Sequence, residues 1–203
     1  MQKVRKLLCL LLCAAMLMSM SAVCFAANNK SSSWFKTNYD EINQLGLMPA
    51  SFNGLDLTKD ITRGEMCELA VYAFEKATGN DIDLSNENFT GFTDTNDENI
   101  VKAHLYGIVN GYEDGTFRPN NNITRAETFA MINRVLDRQT ESVSDLLPTS
   151  EMNMWSDNLN ENAWYYKDVQ EATNYHKCDR VGNSVYEKWT EKVPDIDWAS
   201  YQI

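Results

Sequence analysis

Basic residues, histidine and cysteine are all scarce in this 203-residue chain, and each shortage excludes something. Eighteen Lys and Arg face 29 Asp and Glu, a net charge of −11. Nucleic acid is held mainly through cations on phosphates, so this balance argues against it, and against an anionic membrane surface as well. An acidic ligand would need a local basic site that acts against the overall field. Of five cysteines, Cys9, Cys13 and Cys24 lie in the first 26 residues, which leaves Cys67 and Cys178. Two cysteines make no disulfide framework. They form one bridge or stand as two small side chains, and neither sits beside a histidine in a recognised nucleophile or zinc spacing. The two histidines, His104 and His176, fall on expected helices as surface or half-buried residues. No metal and no cofactor is expected. Asp94-Thr95-Asn96-Asp97 lacks the glycine and distal glutamate of a calcium loop.

The opening residues point to export. Lys3, Arg5 and Lys6 precede an almost wholly apolar run from Leu7 to Val23, then Cys24-Phe25-Ala26 and Ala27. That layout is a secretory signal peptide over 1–26. A retained anchor and a lipidated Cys24 are the alternatives. Without 1–26 the balance is 15 basic against 29 acidic residues, or −14, and no membrane association is expected.

An internal repeat organises the chain beyond this segment. Ile61-Thr62-Arg63-Gly64-Glu65 aligns with Ile123-Thr124-Arg125-Ala126-Glu127 at an offset of 62. At the same offset Cys67, Ala70, Ala73 and Phe74 meet Phe129, Ile132, Val135 and Leu136, one face of a helix. The spacing predicts helices over 62–78 and 124–138. Upstream, Leu45-Gly46-Leu47 matches Tyr106-Gly107-Ile108, and each glycine is read as the end of a short helix, 35–45 and 97–106. Asp114-Gly115 predicts a tight turn in the loop 110–119, and Pro119 bars a helix there. A third start appears at Trp155-Ser156-Asp157, which echoes Phe92-Thr93-Asp94. It is followed by an expected helix over 163–176, but no second half. Trp164-Tyr165-Tyr166 suits stacking on sugars, or a core that takes two of the three rings.

Thr62 with Glu65, and Thr124 with Glu127, read as capping boxes, in which hydroxyl and carboxylate satisfy amides that a helix cannot pair itself. Arg63 and Arg125 are not needed for capping and sit at the positive end of the helix dipole. Either they form an anion site with the free amides, or each pairs with a nearby carboxylate.

Phe92-Thr93-Asp94, Ala103, Gly107-Ile108-Val109-Asn110-Gly111, Asp114 to Pro119 and Ile123 to Glu127 together resemble one full S-layer homology motif. Residues 27–80 resemble a first motif and 86–140 the second. A linker at 141–153 leads to a third, degenerate one with an aromatic tail at 154–203. The resemblance implies an all-α fold of short helix-loop-helix repeats around a shared bundle, a pseudo-threefold spindle with its third lobe degenerate. It implies a secreted, non-catalytic protein of the cell wall, an anchor or S-layer component that binds a pyruvylated or otherwise acidic secondary cell-wall polysaccharide. Arg63 and Arg125 would then hold the acidic group, and Gly111, Asp114 and Gly115 would shape the groove. Gly64 departs from the usual alanine and would weaken the helix start. The missing third box leaves two motif arginines. A structural protein whose repeats have lost polymer binding and contact other surface proteins is the competing expectation. A wall hydrolase rests only on abundant carboxylates, which would have to flank a sugar about 5–9 Å apart.

Overall fold

The computed structural model describes residues 30–33, 35–85, 88–89 and 91–194. The expected signal peptide at 1–26 and the tail residues Trp198 and Tyr201 lie outside the described residues. The chain forms two compact units, Met1–Ile123 and Thr124–Ile203, and the division falls between the loop 110–119 and the second capping box.

The first unit contains α1 (Lys36–Gln44), a 3-10 turn at Ala50–Phe52, α2 (Arg63–Thr78) and α3 (Glu98–Leu105). At the start of α2, Thr62 Oγ1 accepts the Glu65 amide and the Glu65 carboxylate accepts the Thr62 amide. Asp97 caps α3 through the amides of Asn99 and Ile100. Gly46 and Gly107 take φ of 65° and 70° just past the ends of α1 and α3, a conformation that costs glycine little. Helix α2 packs on α3. Cys67, Ala70 and Val71 bury against a core that includes Ile100, Val101, Ala103, Ile108 and Phe117. Lys102 reinforces the pair by reaching Glu75 at 3.1 Å. Cys67 is a free thiol, and burial pushes its pKa up to about 12.

The start of α2 docks on the loop of the following repeat. Pro119 and Asn121 carbonyls accept the Gly64 and Arg63 amides, each at 2.9 Å, which satisfies donors the helix leaves open. A Cβ on Gly64 would lie 3.2 Å from the Pro119 oxygen. Close backbone approach thus accounts for glycine here, where helix propensity alone suggested a weakness.

The second unit contains α4 (Arg125–Val135), a 3-10 turn at Val143–Asp145, α5 (Tyr166–Thr173), and an antiparallel pair, β1 (His176–Arg180) with β2 (Glu187–Lys192). Helix α4 packs on α5. Leu146, Met152, Tyr166 and Trp189 form a buried cluster. The Thr124–Glu127 box closes reciprocally, as in the first unit. Thr124→Ala should lower stability by about 1 kcal/mol, read as a shifted urea midpoint with an unchanged slope.

Helices dominate, but the all-α expectation fails over 176–192. Helix α5 stops at Thr173 because Asn174 is extended (φ −117°, ψ 120°). The Asn174 amide group donates to Gln170 Oε1, and its oxygen accepts from the Asn153 backbone. His176 therefore begins a strand and is buried, where the sequence placed it on a helix and at or near the surface. Of Trp164, Tyr165 and Tyr166, only Tyr166 is fully buried.

Candidate functional site

The two boxes hold their arginines in different states. Arg63 is 7% exposed. Its Nε donates to the Phe117 carbonyl at 3.0 Å, and its guanidinium lies 4.5 Å and 4.8 Å from the ring centroids of Phe117 and Tyr112. The loop 110–119 that receives it is shaped tightly. Tyr112 and Thr116 pair across the turn, and Asp114 Oδ1 accepts from the Thr116 amide and hydroxyl. Those bonds, with the Arg118 guanidinium at 2.8 Å, hold the Asp114 carboxyl down to about 2. Gly115 turns at φ 79°. A Cβ on Gly111 would fall 2.3 Å from Phe92 and 2.9 Å from the Thr116 carbonyl, so the loop closes only over glycine there. Asp94 accepts the amides of Phe117 and Arg118 at 2.8 and 2.7 Å. The Phe117 bond is the main cause of its lowered pKa.

Arg125 stands in the open. It lines a cavity of about 510 Å³ with Thr124, Glu127, Asp157, Trp164 and Tyr165. Its side chain is 39% exposed. Nη1 donates to both oxygens of Asp157, at 2.7 and 2.6 Å, and this bond lowers the Asp157 pKa. Nε and Nη2 have no hydrogen-bond partner among the described residues. The guanidinium lies 5.0 Å from the Phe129 ring centroid and 5.3 Å from that of Trp155. Beside it, Trp164 is 60% exposed and meets Tyr165 edge-on at 5.5 Å. The amides of Arg125 and Ala126 are not covered by carbonyls of the described residues, unlike their counterparts at Arg63 and Gly64. The cavity therefore combines a guanidinium fork, open helix N-terminal amides and an indole face, a set that suits an anion carried on a sugar.

Arg63, Gly111, Asp114 and Gly115 thus fall in the first unit, around one closed loop, while Arg125 opens a groove in the second. Asp157 and Trp155 were missing from the sequence-derived site. The signal for Asp157 was its register with Asp94, which pointed to a turn and not to a guanidinium.

The family model for the S-layer homology domain matches residues 100–129. The chain is 31% identical over 127 residues to "Cell surface glycoprotein 1" of Acetivibrio thermocellus, covering 58% of this chain and 5% of that protein. It is 33% identical over 134 residues to the "Cellulosome-anchoring protein" of the same organism, covering 63% and 28% respectively. It is 29% identical over 117 residues to "Amylopullulanase" of Thermoanaerobacterium thermosulfurigenes, covering 54% and 6%. The chain thus spans at most 28% of the length of these relatives. No solved structure matches it. From α3 through the loop 110–119 to the first turns of α4, this chain carries an S-layer homology domain and is a cell-wall-associated protein of the cell surface.

Proposed function

We propose that the protein binds an acidic secondary cell-wall polysaccharide non-covalently, without catalysis, in the groove at Arg125. The observation that carries this is the exposed guanidinium that gives Asp157 one terminal nitrogen and keeps Nε and Nη2 available beside an exposed indole. A carboxylate on the polymer, such as a pyruvate ketal, would take the open nitrogens while a sugar ring lies on Trp164. Arg63 serves as a structural residue in this reading, and Gly111, Asp114 and Gly115 shape the loop that holds it.

The test is sedimentation with purified walls, native and stripped of acidic polymer. Native walls should retain the protein and stripped walls should not. Arg125→Ala should weaken retention about tenfold or more, the loss expected for a charged hydrogen bond, with helical circular dichroism unchanged. Asp157→Asn should strengthen it by removing a like charge from the groove. Full retention of Arg125→Ala on native walls overturns the assignment.

The burial of Arg63 and the Arg125–Asp157 pair favour a second reading, a structural surface protein that contacts other proteins and no longer binds polymer. Concentration-dependent association together with no wall binding would support it.

A further inference from the structure

The inward face of the hairpin is chemically unusual. Alternate strand residues share a face, and here His176 and Cys178 of β1 meet Glu187 and Trp189 of β2, with Glu171 contributed by α5. His176, Glu171 and Glu187 are 7%, 3% and 3% exposed. Such a face normally carries apolar residues, because burying polar groups costs free energy unless each is well paired. Instead an imidazole, a thiol and two carboxylates converge.

Their separations suit a metal. Cys178 Sγ is 3.1 Å from Glu187 Oε2. His176 Nε2 is 3.8 Å from Glu187 Oε2 and 3.4 Å from Glu171 Oε1. The donor atoms of His176, Cys178 and Glu187 all lie within 4.8 Å of one another. Bonds of about 2.0–2.3 Å around a tetrahedral zinc place neighbouring donors roughly 3.3–3.8 Å apart. The supporting bonds agree. His176 Nδ1 lies 2.7 Å from the Asn174 carbonyl, which can only accept, so Nδ1 carries a proton and Nε2 faces the cluster. A backbone carbonyl on the far ring nitrogen is the usual orienting partner of a metal-bound histidine. Trp189 Nε1 donates to Glu171 Oε2 at 2.8 Å, while Oε1 meets Arg138 as an ion pair at 2.9 Å.

We propose that His176, Cys178 and Glu187 form a zinc site with three protein donors and a fourth position open to water. The Arg138 guanidinium lies on the cluster, with Nη2 3.2 Å from His176 Nε2 and Nε 3.6 Å from Glu187 Oε2, and the ion would have to displace it. The Arg138 side chain is 38% exposed, so it can swing to solvent when the ion enters. Arg180 stays on Glu187 Oε1 at 2.6 Å, which leaves Oε2 for the metal. On binding, the Cys178 S–H bond breaks and its proton goes to solvent, together with any proton on His176 Nε2. No electron changes hands. The mixed nitrogen, sulfur and oxygen set favours zinc over magnesium or calcium, which take oxygen donors.

The test uses the whole chain stripped with a chelator and titrated with Co²⁺, then Zn²⁺. One Co²⁺ per chain should give tetrahedral visible bands with a thiolate charge-transfer band, displaced by Zn²⁺, and Zn²⁺ should raise the melting temperature. Cys178→Ser should abolish the charge-transfer band and weaken zinc binding at least about tenfold, while Cys67→Ser should change neither. Arg138→Gln keeps all three donors and should tighten zinc binding. That variant keeps the proposal testable if Cys178→Ser fails to fold. A Co²⁺ complex without a thiolate band, a band that survives Cys178→Ser, or weaker zinc binding in Arg138→Gln would each overturn the site.

Discussion

Arg63→Ala should destabilise the first unit by about 2–4 kcal/mol, whereas Arg125→Ala should leave stability nearly unchanged. The two residues occupy the same place in the repeat, so the contrast isolates environment. Arg63 loses a charged hydrogen bond to the Phe117 carbonyl, about 1.5–3 kcal/mol. It also loses a desolvated contact with two aromatic rings, about 2 kcal/mol when buried, and packing along its stem. The total falls short of the sum because the cavity relaxes and such contributions do not add. Arg125 gives up an exposed ion pair and half-exposed contacts with the Phe129 and Trp155 rings, which contribute little in solvent. Denaturant unfolding of each variant, followed by tryptophan fluorescence and by circular dichroism, measures this. The two probes also show whether the units unfold together. Equal destabilisation by both substitutions would contradict the assigned environments.

Trp189→Ala should cost the second unit about 3–5 kcal/mol, the range for deleting a buried aromatic side chain. Trp189 is 4% exposed and packs with Leu146, Met152 and Tyr166. It stacks on His176 with centroids 3.8 Å apart, and its N–H satisfies Glu171. Trp189→Phe keeps most of the packing but removes the donor, and should cost about 1–3 kcal/mol for leaving a buried carboxylate oxygen without its partner. The ordering wild type, Phe, Ala in denaturant midpoint is the measurement, made in chelator so that bound metal does not contribute. A phenylalanine variant as unstable as the alanine one would mean that the Nε1–Glu171 bond outweighs the packing.

The helices were legible because the repeat displays its own periodicity twice. Cys67 and Ala70 recur as Phe129 and Ile132 at helical spacing, and Thr-x-x-Glu marks both starts. The strand pair was not legible because its inward face is His, Cys and Glu, with Trp189 alone supplying large apolar bulk. The alternating pattern exists, but Trp189 is the one large apolar residue among its inward positions, so no apolar period of two appears. Placing a helix through His176 also hid the relation to Cys178, since residues two apart share a face on a strand and not on a helix. The arginines show a different limit. Their alternatives were an open anion site or a surface carboxylate. Arg63 is instead buried, because its fate is decided by Tyr112 and Phe117, in the loop of the next repeat. Arg125 pairs with a surface carboxylate, Asp157, and keeps part of its guanidinium exposed. Such pairings depend on which loop follows each helix in space, and spacing along the chain carries no record of that.

By taking both oxygens of Asp157 on one nitrogen, Arg125 shows the solvent a dipole in place of a bare cation. Dipoles exert little pull at a distance, and the net negative chain repels polyanions further out. Free acidic metabolites in the surrounding medium therefore gain little hold on the groove. If the groove takes the polymer as proposed, retention would grow with the number of times that weak contact recurs along one polymer strand.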